Sequence, residues 1–444
     1  MMIRRLIICL SLILILSTIS PAQELQENNS PSYYEQVTYR MYLEQQWNSL
    51  LITGNKAIRE GNDYYYMRVR TGEAAFNSAR YGQAARHLRK ALEFSNTSWA
   101  SELLFYTLLN SGRTGQAALL SSGFDSAQKA RTSKRYLKPI AFAEGGILLS
   151  KSMSDLTPVP VDSIVYRDAF TEKSATYYSA GLMIHTGSRL SLNGGFSYMQ
   201  YDKFRETQVA ELDTLSGRFR VNQTGFYVSA SYLISGKLTI SPVIHIENYS
   251  VTEPVTTTDS LLQLYLGPPI AGSTVDYLAG AEARLDGDFS RFTLGAYNLK
   301  LSEKNTIQFS AGYTLLPFGN LDYYLTTCLS YKSGVKKQPL VAYGTAGFKI
   351  LPGFWAELSG AAGNISGTAE YNGRLLFNQI NDSHYRLSAM VLAEITDGLR
   401  ATLRYQRISS EASAAFMGPS YKLFNREYKY VKQLISIGIT CRIP

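Results

Sequence analysis

Between residues 430 and 443 apolar and polar side chains alternate. Val431, Ile435, Ile437, Ile439, Cys441 and Ile443 fall on one face, and Lys432, Ser436, Gly438, Thr440 and Arg442 on the other. Only Gln433 and Leu434 break the rhythm. A period of two means an extended strand with one apolar and one polar surface. The pattern recurs through about fourteen segments from residue 138 onward, for example in Tyr385, Leu387, Ala389, Val391, Ala393 and Ile395.

The connections between these segments are unequal in a regular way. Those at Thr186-Gly187-Ser188, Ser235-Gly236, Asp286-Gly287-Asp288, Pro317-Phe318-Gly319-Asn320, Pro352-Gly353 and Thr396-Asp397-Gly398 are tight turns rich in Gly, Asp and Asn. The intervening ones, notably 150–174, 202–221, 250–273, 364–382 and 409–429, are long and read as loops. A soluble sandwich has no need of this asymmetry. A transmembrane barrel does, with short turns on the periplasmic side, longer loops outside, an apolar face toward lipid and a polar face toward the lumen. The prediction for 136–444 is therefore an antiparallel outer-membrane β-barrel of about fourteen strands.

Upstream the period changes to that of helices. Trp47, Leu50, Leu51 and Gly54 fit one helix, Tyr65, Met67, Thr71 and Ala74 a second, and Ala84, Leu88, Ala91 and Leu92 a third, with a turn at Ser78-Ala79-Arg80. Within residues 65–96, Gly72, Tyr81, Ala84, Leu88 and Ala91 stand where small and large residues alternate to let two helices pack closely. This stretch resembles a tetratricopeptide repeat, with Asn96 in place of the family's terminal Pro. A weaker copy runs through Trp99, Leu103, Tyr106, Gly115 and Ala117, and a partial one precedes it around 47–64. The resemblance covers roughly a hundred residues and implies a helical module, 34–135, with a concave surface for a protein partner. The basic stretch Ser121–Arg135 reads as the connector to the barrel. An unrelated array of helical hairpins remains the alternative.

The order of parts is similar to that of uncharacterised outer-membrane proteins bearing a periplasmic repeat module, and of exopolysaccharide-secretion porins. The C-terminus, Cys441-Arg442-Ile443-Pro444, lacks the aromatic end that many such barrels carry.

Composition adds a compartment. Arg4 and Arg5, the apolar run 6–19 and Ser20-Pro21-Ala22 have the three parts of a secretory signal, residues 1–22, followed by a polar lead-in, 23–33, expected to be disordered. The helical module is thus expected in the periplasm. Thirty-two Tyr and 34 Gly suit a barrel, whose rims carry aromatic girdles. Cys328 on a lumenal register and Cys441 on a lipid register argue against a disulfide. A net charge of +9 is scattered and accompanied by no nucleic-acid motif, so outer-membrane lipid and a periplasmic protein are the expected partners.

Chemistry-bearing motifs are sparse. Four histidines, His87, His185, His245 and His384, lie far apart in the chain, and neither a Gly-x-Ser-x-Gly elbow, a metal-ligand spacing nor a phosphate loop occurs. The expectation is a non-enzyme with no cofactor, metal or catalytic residue. Charges on the inward register are Glu247, Glu282, Arg284, Lys349, Glu357, Arg386, Glu394, Arg400 and Arg404. They admit two readings: a selectivity zone in a pore, or a lumen closed by mutually satisfying ion pairs. Function follows the same fork. The leading expectation is a barrel that anchors, or passes a substrate for, a helical module docking a periplasmic partner. The alternatives are a substrate-specific channel, for instance for polysaccharide, and a lipid-modifying barrel enzyme.

Overall fold

A computed structural model describes residues 31–132, 138–150, 166–209, 215–252, 272–301, 304–335, 338–377, 382–417 and 423–443. The expected signal segment and most of the lead-in lie outside these residues. Seven helices come first: α1 (Pro31–Leu43), α2 (Trp47–Arg59), α3 (Tyr65–Asn77), α4 (Tyr81–Phe94), α5 (Ser98–Asn110), α6 (Thr114–Ser122) and α7 (Ser126–Arg131). The first helix therefore takes in residues assigned to the lead-in, and the expected connector 121–135 is largely helical. Asp125 and Gln128 form a reciprocal capping box that starts α7, a local signal stronger than the basic composition around it.

Successive helix pairs begin at Pro31, Tyr65 and Ser98, and their second members at Trp47, Tyr81 and Thr114, which are steps of 34 and then 33 residues in both series. Packing explains the regularity. Ala84, Ala85, Leu88 and Ala91 give α4 a buried stripe, Ala85 and Leu88 meeting Leu104, Phe105 and Leu108 of α5. A Cβ at Gly72 would come within 3.0 Å of Leu88, so the missing side chain is what lets α3 and α4 close on each other. Tyr81 is half-buried at the head of α4 and rests on Phe76, ring centroids 5.6 Å apart. No helix among the described residues is long and apolar enough to cross a membrane.

Fourteen strands close an antiparallel barrel: β1 (Ile140–Ser150), β2 (Tyr166–Thr186), β3 (Leu190–Val209), β4 (Leu215–Leu233), β5 (Leu238–Thr252), β6 (Gly272–Asp286), β7 (Ser290–Leu301), β8 (Lys304–Leu315), β9 (Tyr323–Ser333), β10 (Leu340–Leu351), β11 (Phe354–Gly363), β14 (Asp382–Thr396), β15 (Leu399–Met417) and β16 (Leu423–Arg442). Neighbours in sequence are neighbours in space, β11 passes directly to β14, and β1 pairs with β16 from Ile140↔Arg442 to Ser150↔Lys432 to complete the ring. The fold expected from the alternation is the fold found.

Its outer surface is apolar. Leu294, Leu325, Leu329, Val391, Leu403 and Ile437 are all exposed although they lie in regular strands, which is tolerable only against lipid. The wall is uneven. β7–β11 have 10–12 residues, close to the span of a bilayer, whereas β2, β3, β4, β15 and β16 have 19–21 and stand well beyond it. Much of what reads as loop in 202–221 and 409–429 is a continuation of these strands.

The helical module carries a pH dependence of its own. His87 is buried in α4 beside Arg68 and Arg86, and burial, reinforced by those two cations, lowers its pKa to about 4. A base held neutral in the native state contributes stability that is intact above its ordinary pKa of 6.5 and is lost as pH falls toward 4. The loss amounts to roughly 3 kcal/mol at one unit per 1.36 kcal/mol. Far-UV circular dichroism on the full chain is expected to record helix melting at lower temperature near pH ~4.5 than near pH ~7. His87→Gln should flatten that difference while the barrel transition stays put.

Candidate functional site: the barrel lumen

Six short turns crown one rim of the barrel, and the helical module sits on that rim. Two of its own turns make the contact. At the α3–α4 turn, Gly82 N donates to the Phe318 carbonyl at 3.1 Å, and Asn320 Nδ2 donates to the Ala79 carbonyl at 2.9 Å. The approach is backbone to backbone: Cβ atoms at Gly82 or Gly319 would overlap the facing chain. Beside it, Arg89 and Arg113 both reach Asp288 Oδ1, at 2.5 and 2.7 Å, and Arg86 lies 5.0 Å over the Phe289 ring. Burial opposes ionisation of Asp288, but the two guanidiniums outweigh it and its pKa is lowered. The α5–α6 turn reaches across the mouth, with Gly112 against Leu321 and Gly115 against Leu233.

The lumen is also filled from within. Residues 364–377, expected as part of an outer loop, fold back between the strands as a small hairpin, β12 (Thr368–Glu370) and β13 (Leu375–Phe377). Polar wall residues hold its backbone. Lys332 Nζ donates to the carbonyls of Asn364 and Ser366, both at 2.7 Å. Gln308 bonds both backbone groups of Ala369, at 2.8 and 2.9 Å. His245 Nδ1 lies 2.9 Å from the Gly373 carbonyl. Ala369 and Leu376 pack with Val243, Leu278, Tyr297 and Leu299, and Ile365 with Val341, Ala361 and Ile408. The tip is bent by three successive left-handed residues, Tyr371, Asn372 and Gly373 (φ 50°, 56° and 71°), and Arg374 covers the Phe142 ring at 4.0 Å. The loop reading of 364–382 is thus corrected. A bilayer-deep cavity this wide must be filled by water or protein, and a peptide whose amides are satisfied by wall side chains is cheaper to bury than an unsatisfied one.

Of the nine charges on the inward register, most are found in pairs. Arg386 donates to Glu370 of the hairpin at 2.6 Å, Arg284 to Asp286 at 3.1 Å and Arg404 to Glu144 at 3.5 Å. Lys349 stands 3.6 Å from Asp322, and Arg400 stands 3.9 Å from Glu394. Glu247 accepts from Tyr249 at 2.7 Å, and Glu357 accepts from the Tyr324 hydroxyl. Glu282 lies between Glu247's neighbourhood and Arg284 on the β6 inward register. Sequence reasoning missed the partners Glu144, Asp322 and Glu370 and the anchors Gln308 and Lys332. The available signal was Ile365 and Leu375-Leu376-Phe377, apolar residues in a stretch assigned to water.

Two of the cavities among the described residues bear on the lumen. One, of about 130 Å³, lies between the hairpin and the β1–β4, β15, β16 wall; Leu148, Met199, Tyr201, Leu376, Ile408 and Leu434 make it apolar, with Glu144, Arg404 and Lys432 on its edge. The other, of about 640 Å³, is a vestibule under the α5–α6 turn, between Leu109 and Thr114 on one side and Trp355, Met390, Arg400 and Arg442 on the other. Arg404 of the first donates toward Met390 Sδ of the second at 3.5 Å, so the two adjoin along one wall.

Among the described residues no three His, Cys, Asp or Glu side chains converge as metal ligands. Cys328 and Cys441 are both free thiols. His185 Nδ1 lies 2.7 Å from Ser191 Oγ, a nucleophile–base pair in which no carboxylate orients the ring.

No protein family description matches the chain, and no curated protein is similar enough in sequence to count as a relative. Solved structures do match in outline. A Pseudomonas aeruginosa FadL homologue is 9% identical over 73% of this chain and 94% of its own, with a TM-score of 0.41. The P. putida toluene transporter TodX gives 6%, 73% and 94%, with 0.42. A bacterial polysaccharide outer membrane secretin gives 10%, 69% and 98%, with 0.32. The strand pairing already makes the chain a closed antiparallel barrel of fourteen strands. The likeness goes no further than that.

The Arg386–Glu370 pair offers a direct test of the hairpin's seating. Glu370→Ala takes the carboxylate from a buried guanidinium, a kind of change that typically costs about 3–5 kcal/mol, whereas removing both partners costs less. The temperature at which the barrel loses its compact electrophoretic form should fall in Glu370→Ala and recover in the double Arg386→Ala/Glu370→Ala protein.

Proposed function

We propose that this protein is a substrate-specific channel of the outer membrane, closed at rest by the internal hairpin on one side and by the helical module, on the periplasmic side, on the other. The observation that carries the reading is the pair of adjoining cavities along the β14–β15–β16–β1 wall. A packed structural barrel has no use for an apolar cavity beside a vestibule, parted from it by the Arg404–Met390 contact. Apolar pockets with a few placed polar groups are the usual form of small-molecule sites. The cargo is a small molecule with an apolar body, and the chain acts without covalent chemistry: it binds, excludes water and releases. The anchoring role expected from the sequence is absorbed, because the module caps the mouth that a cargo must pass.

The helical module is best read as tetratricopeptide-like. Its 34- and 33-residue steps suit that repeat's period. A docking role for it rests on the end turned away from the barrel, where Tyr66, Phe94 and Trp99 are exposed. A photo-crosslinking residue at Trp99 in intact cell envelopes tests this; if no protein adduct forms, the module is a cap alone.

Planar-bilayer recording tests the channel. The intact chain is expected to open rarely. Replacing 365–381 by a short glycine–serine loop should give frequent openings, and adding Asp288→Ala, which removes the shared anion of Arg89 and Arg113, should raise conductance further. A hairpin-less barrel that folds but stays silent would sink the proposal.

A further inference from the structure

The order in which the helix pairs meet the rim points to a second membrane contact, made by the helices. The α5–α6 turn lies across the mouth, touching Leu321 on one side and Leu233 on another. The α3–α4 turn sits on the wall itself, at Phe318 and Gly319. The α1–α2 turn is the next in the row, tied to the end of α3 by Ser78 Oγ donating to Asn48 Oδ1 at 3.3 Å. Neighbouring helices pack roughly 8–10 Å apart, so one more step in the same direction passes beyond the wall. What lies there is lipid. Phe318, Tyr323, Leu315 and Phe292 are exposed on the outer surface of this rim and mark the edge of the apolar belt.

The residues on that outermost turn fit such a place. Leu43 is 63% and Tyr39 50% exposed, one helical turn apart on the same face of α1. Arg40 is exposed beside them, and Trp47 opens α2 half-buried, its ring edge-on to Tyr42 at 6.0 Å. Arg70 lies 5.0 Å over one face of the Tyr39 ring and holds it in place, while Leu43 gains nothing from exposure to water. In a headgroup layer the aromatic rings take their preferred depth, Leu43 reaches acyl carbon and Arg40 meets phosphate. We infer that the α1–α2 turn, through Tyr39, Arg40, Leu43 and Trp47, inserts into the phospholipid leaflet next to the β8–β9 rim. The module would then have two supports, barrel and bilayer, with the mouth between them. The inference rests on the barrel's membrane placement and is independent of whether the lumen conducts.

The three tryptophans make it measurable. Full-length protein carrying Trp99→Phe and Trp355→Phe leaves only Trp47; a second protein carrying Trp47→Phe and Trp355→Phe leaves only Trp99, at the far end of the helices. Both go into phosphatidylcholine vesicles with and without bromine near the top of the acyl chains, after heat-modifiable migration has verified each barrel. Quenching of Trp47 severalfold stronger than that of Trp99 is the expected result, and Leu43→Asp in the Trp47-only protein should reduce it. Equal, weak quenching at the two positions would overturn the inference, as would quenching that Leu43→Asp leaves unchanged.

Discussion

The structure depends on one constraint: inside a bilayer no backbone amide can be left to water. A sheet meets it only by closing on itself, and here the ring is completed by β1 against β16 over eleven paired positions. Closure has a geometric consequence. A ring of fourteen strands encloses more space than inward side chains of ordinary size can fill, while remaining narrower than the wide aqueous barrels. The hairpin, the paired lumenal charges and the helical cap are three answers to that surplus volume, each made from a different part of the chain.

They differ in kind. The cap is held by a few concentrated contacts, two glycines in backbone contact and one aspartate shared by two arginines. The hairpin is held along its length by Lys332, Gln308, His245 and Arg386, each satisfying a group that would otherwise be stranded in the lumen. A site held in this distributed way resists partial loosening.

The barrel was legible in the sequence because its rule is local and repeated: side-chain period two, and turns whose Gly, Asp and Asn content reflects backbone need. The same rule put Glu247, Arg386 and Arg404 on the inner wall. What it could not convey is which inward groups meet, because Arg386 finds Glu370 in the folded-back connection that precedes its strand and Arg404 finds Glu144 260 residues earlier. The hairpin was missed for a related reason. Its strands are three residues each, too short to declare a period, and beyond their pairing with each other they are held by side chains remote in sequence. The helices α1 and α7 were missed or blurred where composition was allowed to outweigh capping and spacing.

The tip of that hairpin has a thermodynamic meaning. Tyr371 and Asn372 are held left-handed without the freedom of glycine, a conformation that costs on the order of 1–3 kcal/mol for each residue so held. The wall contacts must outweigh this before the hairpin rests where it does. Its resting position is therefore shallower than its many bonds imply, and the released segment recovers both backbone relaxation and chain entropy. The net stability of the seat is the difference between those contacts and the strain they hold.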